Sequence, residues 1–160
     1  MIRLAKDLLT NILKDHGVPV SGIFYDDSAF ERIKTNPSAI ILAMKEELNE
    51  VRRKVAKWED PVTHQRYARH QKYERVLPIE VNIFHKNEEM VDEIIQGLLA
   101  DLPNGIDDGT GNYVPITPAP IDWPPDQKER ALAVVMIKFT FGVYKDVPLT
   151  GLPGEVNINI

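Results

Sequence analysis

The chain has 160 residues, 43% of them apolar, and a formal charge of −5; that suits one domain with a buried core, expected to span 1–160. The acidic balance disfavours generic nucleic-acid binding, which shows as a basic excess, and the absence of cysteine excludes disulfides, thiolate metal ligands and cysteine nucleophiles. The longest apolar run, 131–137, is far shorter than the roughly 20 residues that cross a bilayer as a helix. Arg3, Lys6 and Asp7 interrupt the first apolar residues, so no export signal is predicted and the expectation is a soluble protein, cytoplasmic at synthesis.

Residues 2–16 predict the first helix. Ile2, Ala5, Leu9 and Ile12 recur at three- and four-residue steps, with Leu4, Leu8 and Leu13 widening the stripe. Gly17 is suited to stop it, because glycine accepts the left-handed conformation. Residues 22–25 predict a short strand, and Asp26-Asp27-Ser28 a cap for one helical turn through Phe30 and Ile33. After the break at Asn36-Pro37, residues 38–43 predict a strand carrying Ile40, Ile41 and Leu42. Residues 45–58 are ambiguous. Ile41, Met44, Leu48, Val51, Val55 and Trp58 have helical spacing, yet 53–59, a turn at Asp60-Pro61 and 63–72 also make a polar two-stranded ribbon. The ribbon is preferred for the second half, and 45–52 stay open.

Residues 73–84 predict a strand with Leu77, Ile79, Val81 and Ile83 on one face. Pro78 lacks an amide donor and points to an edge or a bulge. Asn87 caps the second helix, expected over 88–102, with Glu88 and Glu89 complementing its dipole. Residues 106–112 predict a loop, and 113–121, with Pro115, Pro118 and Pro120, at best an edge strand. Residues 131–144 are the strongest strand, with Val135, Ile137, Phe139, Phe141 and Val143 on one face. Burying each contributes roughly 1.5–3 kcal/mol, which predicts the centre of the sheet. A loop follows over 147–154. Val156, Ile158 and Ile160 then alternate with polar residues, which predicts an interacting terminal strand. The fold class expected is α+β, a central antiparallel or mixed sheet with two main helices and a projecting polar β-ribbon.

Little of this carries reaction chemistry. His16, His64, His70 and His85 make no metal-ligand pair at helical spacing. Asp107-Asp108-Gly109-Thr110-Gly111-Asn112 lacks the alternating oxygens and closing glutamate of a calcium loop, and predicts a turn. Ser21, Ser28 and Ser38 lack a glycine-flanked nucleophile elbow. No catalytic, cofactor or metal site is predicted, and the expectation is that the protein is not an enzyme. The one basic-aromatic cluster runs from Arg52 to Arg75 with Trp58, Tyr67 and Tyr73 interleaved. Nucleic acid uses such surfaces through phosphates and stacking. Protein interfaces use the same residue types as anchors, and the acidic whole favours that reading. Trp58, Arg66, Tyr67, Arg69, Val156, Ile158 and Ile160 are the candidate interface residues.

The order of these elements resembles that of bacteriophage tail terminator and related neck, or tail-completion, proteins. The resembling parts are the first helix, Pro37-Ser38-Ala39-Ile40-Ile41-Leu42, the ribbon ending in Arg75-Val76-Leu77-Pro78-Ile79-Glu80-Val81-Asn82-Ile83, the helix from Glu88, and the strand ending in Phe141-Gly142-Val143-Tyr144. The proline-rich segment from Pro115 to Pro125 and the Asn-Ile tail have no counterpart in it. The resemblance implies a structural virion protein, assembled in the host cytoplasm as a homo-hexameric ring. That ring caps the tail tube, stops its polymerisation and offers the head-binding surface. It implies the tail tube protein and a head-side neck or connector protein as partners, DNA passing through the bore without specific binding, no membrane, and no cofactor. A head-closure or connector role in the same neck, or a small non-viral binding module, is the alternative.

Overall fold

A computed structural model describes residues 1–33, 37–125 and 130–150. The fold is α+β, as expected: two main helices and a seven-stranded, mixed sheet. The described residues form two compact units. One comprises Met1–Glu47 and Val76–Phe141; the other comprises Leu48–Arg75 and the described chain from Gly142. No described helix is long and apolar enough to cross a membrane.

The first unit holds helices α1 (Ile2–Asp15) and α2 (Glu88–Asp101). Its short strands are β1 (Ile23–Phe24), β2 (Ser38–Ala43), β5 (Gly105–Asp107) and β6 (Tyr113–Pro118). It takes the later part of β4 (Arg66–His85) and the earlier part of β7 (Ala131–Pro148). The strand order is β1-β2-β4-β7-β6-β5, with β3 (Glu47–Glu59) pairing β4 off this path. β1 runs parallel to β2, while β2 and β4, β6 and β7, and β5 and β6 are antiparallel.

Period-two alternation puts Leu77, Ile79, Val81 and Ile83 of β4 and Val135, Ile137, Phe139 and Phe141 of β7 in one core, each at most 1% exposed. Ala5, Leu9, Ile12 and Leu13 of α1 and Val91, Ile94, Ile95 and Leu98 of α2 join that core, so both helices cover the same sheet face. Ile40 and Phe84 point the other way, into a smaller cluster with Ala29, Ile33 and Phe30. Phe30 meets Phe84 edge-on at 5.5 Å. Asn87 caps α2 by accepting from the Glu89 N–H at 2.8 Å.

The two helices meet where Gly97 of α2 faces His16 at the end of α1. A Cβ at Gly97 would overlap the His16 imidazole, whose Nε2 lies 2.7 Å from Asp101 Oδ2. Gly97→Val displaces that ring and breaks the contact. Stability is expected to fall by about 1–3 kcal/mol, a melting temperature lower by roughly 2–4 °C per kcal/mol, measurable by calorimetry. An unchanged melting temperature counts against this packing account.

Several expectations change. The ribbon preferred for 53–59 is present, and of the stretch left open residues 47–52 are strand as well, so the three- and four-residue spacing there reflects no buried helical face. The turn after Asp26 is a 3₁₀ helix, Asp27–Glu31, and makes no side-chain cap. The predicted loop 106–112 begins inside β5, which takes the sheet margin in place of β6. β6 is interior despite its prolines: Pro115 pairs opposite Gly105 and Pro118 opposite Ile137, while Val114 and Ile116 are buried. Pro78 likewise lies in an interior strand rather than an edge. It sits just beyond the last β2–β4 pair, Ala43 with Ile79, where its carbonyl accepts from the Met44 N–H at 2.9 Å. The asparagine of the Asn36-Pro37 break and the predicted terminal strand lie outside the described residues.

Candidate functional site

The second unit is built on the β3–β4 ribbon. Every side chain of β3 but that of Val51 is exposed, so this strand gains little from burial and is held by pairing and cross-strand contacts. Asp60 makes the turn. Its Oδ1 accepts from the Val62 and Thr63 N–H groups at 2.8 and 2.9 Å, and its own N–H donates to the Gln65 carbonyl at 2.9 Å. The Thr63 and Val62 hydrogen bonds hold the Asp60 carboxyl below the usual carboxylate value. His64 takes a left-handed φ of 57° at the tip.

Trp58 and Tyr67 stack across the ribbon, ring centres 4.6 Å apart and planes 17° from parallel. Arg53 Nε donates to Gln71 Oε1 at 2.9 Å, and Gln71 is buried. Arg69 grips Asp146 of β7 with both arms, Nε to Oδ1 at 2.8 Å and Nη2 to Oδ2 at 2.9 Å. The Arg69 hydrogen bonds hold the Asp146 carboxyl below its ordinary value against opposing burial, and a Trp58 hydrogen bond adds to them. The Leu149 N–H donates to the Arg66 carbonyl at 2.8 Å, and Gln65 Nε2 donates to the Leu149 carbonyl at 3.2 Å.

Of the predicted interface residues, Arg69 and Trp58 therefore meet at one carboxylate, and Tyr67 stacks on Trp58 beside them. Arg66 presents an exposed side chain and uses its backbone for Leu149. Val156, Ile158 and Ile160 lie outside the described residues. Asp146 and Gln71 were missed. Both are polar residues in polar stretches, and the only available signal was strand-like alternation continuing past Tyr144. Lys54 sits below the ordinary lysine value through desolvation and then repulsion from Lys57, a sign of crowded positive charge.

A second surface lies in the first unit. Glu88, Glu89, Asp92, Glu93 and Gln96 of α2 line an open cleft of about 540 Å³ with Trp123. An adjoining cleft of about 360 Å³ includes Lys86 and Arg130, and the Arg130 guanidinium lies 4.7 Å from the Phe84 ring centre. The acidic loop is a turn, as predicted. Asp107 Oδ1 accepts from the Gly109 N–H at 2.7 Å, and Asp108 Oδ1 from the Thr110 N–H at 2.8 Å. Gly109 and Gly111 supply φ of 87° and 85°. Burial raises the Asp108 pKa, but hydrogen bonds from Thr110 and Asn112 outweigh it and bring it to about 2. Among the described residues no group of three or more His, Asp or Glu is placed to hold a metal ion. The chain matches no protein-family model and no curated protein.

Proposed function

We propose that the protein is a structural virion component, a tail terminator. Six copies form a ring that ends the tail tube, stops its polymerisation and presents the surface to which the head joins. The observation that carries this reading is the ribbon. β3 is a thirteen-residue strand, exposed at all but one position and, among the described strands, paired with β4 alone. A strand so exposed buries too little to be maintained for the core, and the Trp, Tyr and Arg along the ribbon are the residue types that anchor interfaces. The order of elements in the resembling neck proteins supports the more specific role. Rings need heterologous contacts, in which two different surfaces of one subunit meet on its neighbours; the ribbon supplies one such surface.

The test is electron microscopy of tails assembled with and without the protein. Overlong tubes in its absence, shortened to a uniform length on adding it back, are the expected result. Tubes of normal length without it overturn the reading. Capture by the tail tube protein is expected as well; capture only by a head-side connector protein assigns the neck role to head closure instead.

A further inference from the structure

We infer that the basic ribbon of one copy docks on the acidic α2 face of a second copy, a partner for the ribbon in the ring proposed above. The identity of the assembly rests on that reading; the contact itself is argued from charge.

Leu48–Arg75 carries eight Lys and Arg against four Asp and Glu, in a chain with nineteen against twenty-four. The remainder is therefore strongly acidic, with eleven against twenty. The excess on β3 lies at its middle, Arg52-Arg53-Lys54, with Lys57 following on the same strand. Among the described strands β3 pairs only with β4, which leaves its other margin open. Two β3 margins pairing antiparallel about their midpoint, Arg53, would set Arg53 against Arg53 and Arg52 against Lys54. Like charges directly opposed are unfavourable, so the ribbon is protected against that symmetric dimer and suited to an acidic surface.

The α2 face is such a surface. The helix contains no Lys or Arg, and none of Glu88, Glu89, Asp92 and Glu93 makes an ion pair among the described residues. Glu88 and Glu89 are accounted for by the helix dipole. Asp92 and Glu93 are not: they lie beyond the first turn and repeat like charge at four-residue spacing from Glu88 and Glu89, which is unfavourable. A cationic occupant removes that penalty. Trp123, 38% exposed in the same cleft, offers an aromatic face to a guanidinium. The two surfaces are different parts of one chain, so the contact is head-to-tail, the kind that builds a ring where its rotation closes.

The test is a charge swap read by light scattering and sedimentation at low salt. One variant carries Arg52→Glu, Lys54→Glu and Lys57→Glu; the other carries Glu89→Lys, Asp92→Lys and Glu93→Lys. Circular dichroism and melting establish that each is folded, and either folded variant suffices for the loss of self-association. The wild type is expected to associate and to dissociate as salt shortens the Debye length from about 10 Å at 0.1 M to about 3 Å at 1 M. Each variant alone should associate at least about tenfold more weakly, since like charges then face each other across the contact. Their equimolar mixture should recover association as an alternating assembly. A wild type that stays monomeric, or a mixture no more associated than its parts, overturns the contact. So does a ribbon that binds duplex DNA tightly, loses that binding on charge reversal and shows no self-association. Adding the variants singly to tail assembly separates the two ideas. Normal length control by both variants sinks the contact and leaves the terminator role standing. Recovered association with tails indifferent to the protein does the reverse.

Discussion

Phe139→Ala is expected to destabilise the first unit by about 3–5 kcal/mol, the usual cost of emptying an aromatic site in a core. Phe139 is fully buried on β7 opposite Ile116 of β6. It stacks near Phe141, ring centres 6.4 Å apart, and shares one core with α1 and α2. The loss combines the transfer energy of the ring with the cavity left among neighbours that are themselves fixed by two helices and a sheet. Against a total of about 5–15 kcal/mol for a domain, it takes a large share. Urea unfolding followed by far-ultraviolet dichroism measures it. A fall in midpoint worth less than about 1 kcal/mol would mean that β7 is not the centre of the packing.

Asp146→Ala is expected to weaken the second unit by about 1–2 kcal/mol at neutral pH. The two Arg69 hydrogen bonds are charge-assisted, worth roughly 1.5–3 kcal/mol when sheltered; both side chains are 29% exposed, so solvent reduces this. The contribution depends on pH in a defined direction. The folded carboxyl titrates below its ordinary value of 3.8 because Arg69, then Trp58, favour the ionised form. Its stabilisation is therefore complete above that ordinary value and is lost as pH falls through the folded one. Wild type and Asp146→Ala should differ at pH 7 and converge in acid. Trp58 fluorescence reports on this unit directly once the only other tryptophan, Trp123, is replaced by phenylalanine. A constant difference from pH 7 down to pH 2 would assign the effect to packing rather than charge.

The parts of this fold legible in the sequence are those with a buried face or a buried run. α1, α2 and the core faces of β4 and β7 follow from the period of their apolar residues, and β2, buried at Ser38–Ile41 in succession, from its apolar run. The ribbon leaves a weaker one. β3 is exposed on both faces, so its apolar residues answer to no period, and Leu48, Val55 and Trp58 fall by chance at helical spacing. The prolines of β6 point to an edge, yet a three-residue strand, β5, finds room outside it. Of the candidate surface, Trp58, Tyr67 and Arg69 stand out by residue type, whereas Asp146 is joined to them only by a strand pairing across more than seventy residues. The acidic α2 face was visible as first-turn glutamates; its cleft with Trp123 was not, because no local pattern links residues 88–96 to 123.

The position of β7 has a consequence for how the protein is made. It lies between β4 and β6 in the sheet, yet it is translated after both. Until residues 131–141 leave the ribosome, the nascent chain carries two half-sheets with raw inner margins and no slab for the helices to rest on. Such a topology folds late and all at once, since its decisive pairings bridge long stretches of sequence. Newly made copies therefore pass through an interval in which unpaired strand margins are bare, and it ends only when β7 joins the two half-sheets.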